Sequence, residues 1–389
     1  MTVVYYTSTY FLDISLDIIN VLKQQVDLHV FIEITSSSKN MTVVNIDAFL
    51  PGKLLATPAE ILNPKDLEKL TPYFAGTAST HFVIHEHKTG LSLSTLKASL
   101  AVWKYIKPFK PQIIHFEGYT LRTVGMLPYL FSVKKVFMAL HDPVPHSGEA
   151  NWKISLSYFL FFNLPFKKSF IFYSDFARNL FIQHYKHITA PKLLIKLCAY
   201  SYYKRLASAD IELDGHILFF GRVSPYKGID VLLTAMPAVF EEFPDQQLVI
   251  AGKSTNGYEL NNNIPEKYKS KVQIINRYIP EEELLTLISQ AKLVVCPYLD
   301  ATQSGVLMTA FALNTPVIAS EVGSFPEFIT NGFNGLLVAP ANPGELAAAI
   351  ARVLRNNFYQ ELKNNVIINN SRHTWQQSMA EVLTEYRQI

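Results

Sequence analysis

The chain predicts an α/β protein built from two doubly wound parallel-sheet domains in tandem, facing each other across a cleft. Three observations carry this expectation. At 389 residues the chain exceeds one ordinary core. Short apolar runs alternate throughout with longer helical patterns, as repeated βαβ units require. The alternation also restarts at "HILFFG" after a polar, irregular stretch, Ser201–Asp214.

In the first half, "TVVYYT" reads as a strand and "LDISLDIINVLKQQ" as the helix after it. "LHVFIEI", "HFVIHE", "QIIHFE", "KVFMAL" and "SFIFYS" read as further strands. "LSLSTLKASLAVWKYI" has helical spacing and is broken by the prolines of "KPFKP". In the second half, "HILFFG", "QLVIAG", "KVQIIN", "KLVVCP" and "TPVIAS" are strand runs, with "VLLTAMPAVFEEF" and "EEELLTLISQA" as helices. The expected division is residues 1–200, a linker at 201–214, a second domain at 215–370, and a closing amphipathic helix at 371–389. That helix stands apart after the polar "NNVIINNS".

Bulk properties exclude several function classes. A composition of 49% hydrophobic and 17% charged residues belongs to a globular chain. A net charge of +3 argues against a dedicated nucleic-acid binder, which needs a basic stripe. Cys198 and Cys296 form no metal or disulfide pattern, and a reducing cytoplasm suits them. The opening residues lack the basic and small-residue features of a signal peptide, and no run suits a spanning helix. The expected location is cytoplasmic, extending to the inner face of the cell membrane. No Gly-x-Gly-x-x-Gly follows a strand, so a dehydrogenase is disfavoured.

Ligands of doubly wound sheets bind at the carboxyl ends of the strands, so residues there are the candidates. After "ILFF", Arg222 and Lys227 stand at a strand end beside a helix start. Two cations and free helix-start amides suit a phosphate or diphosphate, and a solvated loop is the alternative. In "DATQSGVLMTAFALNTPVIAS", Ser304 can cap a helix, and Gly305 lets a ligand approach the backbone. The alternative is a plain cap on a core helix. Glu117 follows another strand, and with Thr302 it is a further candidate to line the cleft. "HDPVPHSGE" puts two histidines and two acids in a loop. "HEH", His85 to His87, shows no third metal ligand and reads as structural. "AVWKYIKPFKP" and "SYFLFFNLPFKKSFIFY" mix aromatics with lysines. They suit either an anionic membrane surface or core helices with solvated lysines.

"FFGRVSPYKGIDVLL", "QLVIAG", "VQIINRYIPEEELLTLISQAKLVVCPY" and "SGVLMTAFALNTPVIASEVGSFPEFITNGFNGLLVAP" together resemble the donor-binding domain of family 4 retaining glycosyltransferases. The likeness is firm from Ile217 to about Ile350 and looser through "PQIIHFEG", "LHDPVPH" and "FIFYSDFARN". It implies the GT-B architecture, two Rossmann-like domains, and retaining transfer from a nucleotide-diphosphate sugar to a glycan or lipid-linked acceptor. Polysaccharide or glycan biosynthesis is the implied setting. The donor is a substrate, so no cofactor is expected. The sequence has no Asp-x-Asp pair for a sugar-nucleotide metal, and metal-independent transfer is the expectation.

By this resemblance Arg222 and Lys227 match the basic pair on the donor diphosphate. Gln303, Ser304, Gly305 and Val306 match the loop on its distal phosphate. Arg277, Tyr278 and Ile279 match the segment beside the base, and His141 a histidine that reaches the donor sugar. The family's two glutamates are replaced by Ala301 and Thr309. A subgroup with a Ser/Thr-Gln-Ser-Gly loop also lacks them, and Asp300 is the candidate substitute carboxylate. The glycine-rich loop after the first strand is missing from "YYTSTYFLDIS". A non-catalytic GT-B subunit that binds a partner protein is the alternative function.

Overall fold

The computed structural model describes residues 1–35, 40–41, 43–46, 50, 52–85, 90, 92–118, 121–144, 152–207, 215–255, 258 and 264–389, with side chains undescribed at 40–41 and 152–155. His87, His146 and Glu149 fall outside this set. The chain divides into two units: Met1–Tyr173 with Arg178–Lys196 and Trp375–Ile389, and Ser174–Ala177 with Leu197–Thr374.

The first unit holds strands β1 (Thr2–Ser8), β2 (Asp27–Thr35), β3 (Ser79–His85), β4 (Ile113–Glu117), β5 (Lys135–Leu140), β6 (Lys168–Phe172) and β7 (Lys192–Leu194). They lie in the order β7-β6-β5-β4-β1-β2-β3, all parallel, with the two-residue strand Leu55–Ala56 antiparallel at the β3 edge. Strands with neighbours on both sides are apolar on both faces, as in Val3–Tyr6 and Val30–Ile32, because helices cover the sheet. Among these helices are α1 (Leu12–Leu22), α2 (Pro64–Phe74), α3 (Leu93–Ile106) and α4 (Trp152–Asn163). The hydroxyl of Ser92 accepts the Thr95 amide and starts α3.

The second unit has strands β8 (Ile217–Phe220), β9 (Leu248–Ala251), β10 (Val272–Ile275), β11 (Leu293–Cys296), β12 (Val317–Ser320) and β13 (Gly335–Val338). Their order is β10-β9-β8-β11-β12-β13, again all parallel. Chain direction across the sheet therefore reverses between β8 and β11. In the first unit the same reversal falls between β1 and β4. These switch points leave a crevice at the carboxyl ends, where loops on opposite faces part.

The structure departs from the expected organisation in two places. Ser201–Leu206, expected as linker, forms helix α5 within the second unit, because Tyr202 and Tyr203 are buried. The closing segment is not one helix. "NNVIINNS" belongs to helix α10 (Phe358–Arg372), anchored by buried Leu362 and Val366. After it come two short helices, Trp375–Ser378 and Ala380–Arg387. These last helices pack into the first unit. Tyr386 and the Nδ1 atom of His115 lie 2.6 Å apart, and Glu381 accepts the Leu194 amide.

Replacing Tyr386 by Phe strands the buried His115 nitrogen. We expect a loss of about 1–3 kcal/mol, read as a lower urea midpoint with unchanged slope.

Candidate functional site

In the second unit the loops that follow β8, β9, β11 and β12 are locked together through their backbones. Gly252 has φ +155°, and a Cβ there would lie 1.7 Å from the Gly221 carbonyl oxygen. Gly228 has φ +64°, and its Cβ would meet the Pro297 oxygen at 1.9 Å. Neither position tolerates a side chain. The Val223 amide donates to the Lys253 carbonyl, and the Leu299 amide to Tyr226, at 3.0 and 2.8 Å.

This frame settles where the candidate residues stand. Lys227 is buried in the turn Pro225–Lys227, with its ammonium 3.7 Å from the Tyr298 ring centroid and 5.0 Å from that of Tyr226. A cation over aromatic faces keeps its charge with little water around it. Tyr298 lies in the loop that leads to Ser304, so Lys227 is held against that loop. Arg222, one residue past Gly221, is exposed. A Cβ on Gly221 would touch Val306 at 3.2 Å, which sets the β8 end beside the start of helix α8 (Gly305–Ala312). Sequence reasoning missed Tyr226 and Tyr298. Their signal is a tyrosine in each of the two loops flanking the switch point. Burial pushes the Cys296 thiol up to about 12 against the opposing charge of Lys227, so it stays protonated.

Ser304 caps α8, its hydroxyl accepting the Leu307 amide at 3.3 Å. Leu307–Leu313 is buried, whereas Gly305 is exposed and Val306 half-buried. Gly305 differs from the glycines around it. Its φ is not positive, and among the described residues an added Cβ would meet only Tyr200, the hydroxyl at 3.5 Å and a ring carbon at 3.9 Å, both ordinary contacts. Neither backbone strain nor crowding calls for a glycine there.

Thr309 and Ala301 stand at the two positions where the resembling family has glutamates. Both are buried, and the Thr309 hydroxyl donates to the Gly305 carbonyl at 2.9 Å. Asp300 is half-buried at the head of the same loop, and Thr302 is buried. Arg277, Tyr278 and Ile279 follow edge strand β10, with β9 between them and β8. Arg277 is exposed and makes a two-pronged pair with Glu283 at 2.7 and 2.8 Å. Tyr278 is exposed and Ile279 buried.

The first unit's switch point carries a different constellation. Glu117 at the end of β4 is buried, and it accepts from Tyr5 at 3.0 Å, Tyr173 at 2.5 Å and His141 Nε2 at 2.6 Å. Burial alone would raise its carboxyl, but the His141 hydrogen bond and charge bring it below its ordinary value. Phe11 lies flat on the His141 ring, 4.0 Å between centroids and 6° from parallel. Gly118, φ +71°, permits this, because a Cβ there would lie 2.3 Å from the Phe11 ring. Phe11 thus fills the space that a glycine-rich loop would leave open. Beside them burial raises Asp13 to about 6. One strand away, Arg122 pairs with buried Glu33 at 2.5 Å, and the His85 ring lies 3.7 Å from the same carboxylate.

Residues 209–374 match the family model described as "Glycosyl transferases group 1". An uncharacterised glycosyltransferase of Methanocaldococcus jannaschii is 30% identical over 177 residues, 44% of each chain. A D-inositol 3-phosphate glycosyltransferase of Corynebacterium glutamicum is 33% identical over 148 residues, 36% of this chain and 34% of the relative. The chain therefore spans less than half the length of these curated relatives. Among solved structures, a glycosyltransferase of Rickettsia africae superposes with a TM-score of 0.65 at 14% identity, covering 100% of this chain and 97% of the other. HepE of Anabaena, solved in complex with UDP, gives 0.66 at 16% identity, covering 99% and 100%. These structural likenesses show the fold alone: two parallel-sheet α/β units that match the GT-B architecture of those structures.

Asp13 generates a pH prediction. Its folded pKa of about 6 lies above the ordinary aspartate value of 3.8, so its burial weighs against folding once the unfolded chain ionises. Stability falls as pH rises from about 4 to 6 and levels off above. Asp13→Asn keeps the acceptor for the Ile14 amide, and thermal melts should show it more stable than wild type at pH 7 and equal below pH 4.

Proposed function

We propose that this chain is a glycosyltransferase that takes a sugar from a nucleotide-diphosphate donor and passes it to a glycan or lipid-linked acceptor. The donor diphosphate is assigned to the second unit. The observation that carries the reading is Gly305, an exposed glycine required by neither conformation nor packing, at the start of a helix beside a buried cation. A helix start with room for close approach suits an anion.

Breaking the sugar–phosphate bond builds negative charge on the departing diphosphate. Groups already in place for that charge lower the barrier, because they need no reorganisation during reaction. Lys227, fixed between two tyrosine rings, and the amides of Gly305 and Val306 are such groups. Arg222, exposed at the β8 end, supplies a second cation. Gln303 and Ser304 complete the loop on the distal phosphate, with Asp300 as the candidate for the ribose. Arg277, Tyr278 and Ile279 are assigned to the base. Metal-free chemistry follows from giving charge neutralisation to these cations and amides. Retention of configuration and a role in polysaccharide assembly rest on the family resemblance.

The acceptor side is assigned to the first unit. His141, oriented by Glu117, is a polar group at its sheet edge, and by the resemblance it reaches the donor sugar beside the acceptor. A ring fixed by a buried carboxylate presents one defined face, as an acid–base or hydrogen-bonding group requires. A lipid-linked acceptor would bring the protein to the cytoplasmic face of a membrane.

Gly305→Ala separates this reading from a structural one. Alanine favours a helix, so the melting temperature should hold or rise, while donor affinity falls at least tenfold by calorimetry with a panel of nucleotide sugars. Unchanged donor binding in that variant would remove the phosphate assignment. Arg222→Ala should lower donor turnover by a factor on the order of 10², with the fold retained.

A further inference from the structure

Helix α3 turns an unusual face to solvent. Its inner side, Thr95, Ala98, Ser99, Val102 and Ile106, is buried. The outward positions recur at helical spacing and open with three leucines: Leu93 is 76% exposed, Leu96 54% and Leu100 39%. Lys97, Lys104 and Lys107 share that face, and Lys110 follows it. An ordinary surface helix puts polar residues there, since each exposed leucine forgoes the gain of leaving water.

The apolar face extends onto the neighbouring segment. Leu96 reaches towards Gly125, and Trp103 stacks on Tyr129 with centroids 4.7 Å apart. Nearby in sequence, Pro128 is exposed and Phe131 56% exposed. The charge is one-sided. From Gly90 to Pro111 there are four lysines and no Asp or Glu, more positive charge than the whole chain's net of +3. The second aromatic–lysine stretch behaves otherwise. Phe161, Phe162, Phe166 and Phe170 are buried, and the Lys168 ammonium donates to the carbonyls of Phe161, Phe162 and Leu164. Most aromatics of that stretch are therefore core, with Phe159 exposed at 65%, and its Lys168 is spent on capping carbonyls.

We infer that the outer face of α3 docks on an anionic lipid surface, the leucines entering the headgroup region and the lysines meeting lipid phosphates. A second copy would cover the leucines but set lysine against lysine. The unopposed lysines around them fit a sheet of negative charge. Among the described residues no helix is long and apolar enough to cross a membrane, so the contact is with its surface. The inference deepens the acceptor reading by naming where the lipid lies, and it rests on that reading only for what the membrane presents.

The test is co-sedimentation of the full chain with phosphatidylcholine vesicles, with and without phosphatidylglycerol, across a salt series. Binding should require phosphatidylglycerol and weaken with salt. Lys97→Gln/Lys104→Gln/Lys107→Gln should lower partitioning about a hundredfold, at roughly fivefold per lysine. Leu93→Gln/Leu96→Gln/Leu100→Gln should abolish it, with circular dichroism checking that both triple variants stay folded, and Leu93→Gln alone, at a side chain 76% exposed, should weaken binding with the melting temperature unchanged. Equal binding to neutral vesicles, indifference to both triple variants, or a dimer that the leucine variant dissolves would each overturn the inference. No sugar donor enters the assay, so vesicle binding without turnover sinks only the transferase reading, and turnover without vesicle binding only this one.

Discussion

The constraint on which the candidate site of the second unit depends is the closeness of backbones at the carboxyl edge of its sheet. Gly221, Gly228, Gly252 and Gly323 hold positive φ, and at three of them a Cβ would overlap a carbonyl oxygen. Because those loops touch main chain to main chain, they have little freedom to drift. Lys227 is then pressed into the aromatic loop after β11, and the α8 start is held beside the end of β8. A charged side chain placed by rigid elements loses little entropy on meeting an anion. Gly305 alone in this group is left open.

The first unit reaches a comparable edge by different chemistry. Its strand order has the same switch point, yet at that edge a ring stack, Phe11 on His141, takes the place beside the strand ends. The cost of burying the Glu117 carboxylate is offset by three hydrogen-bond donors. His115, close by, is held neutral by burial, with its pKa down at about 4. The ring that meets Glu117 is that of His141, whose Nε2 lies 2.6 Å from the carboxylate, and this contact fixes the orientation of the ring. Two sheets of one topology thus end in unlike surfaces, a cationic one floored by glycines and an aromatic one around a carboxylate.

Most of the sheets were legible because a strand covered on both faces must be apolar along its length. "LHVFIEI" and "KLVVCP" announce themselves in this way. Elements with weaker burial escaped. Strand β7, Lys192–Leu194, sits at an edge, and helix α10 presents a polar sequence that only Leu362 and Val366 anchor. The polar start of "SYYKRL" suggested a linker until burial of its tyrosines made it a helix. Among the candidates, Arg222, Lys227 and Ser304 were visible from their position after strands. Tyr226 and Tyr298 were not, since an aromatic in a loop looks the same whether it holds a cation or fills a gap. The two aromatic–lysine stretches were alike on paper, and only exposure told core from surface.

The amino-acid order by itself determined the βαβ alternation, the two-sheet plan and the identity of the residues that follow each strand. These depend on local periodicity and on which side chains can leave water. Tertiary structure alone decided which glycines serve the backbone and which stand open, Gly305 among them, which lysine is clamped and which are solvated, and that Glu117 and His141 meet. Each of those depends on what lies within a few ångströms in space, and strand order, which no local pattern encodes, sets those neighbours.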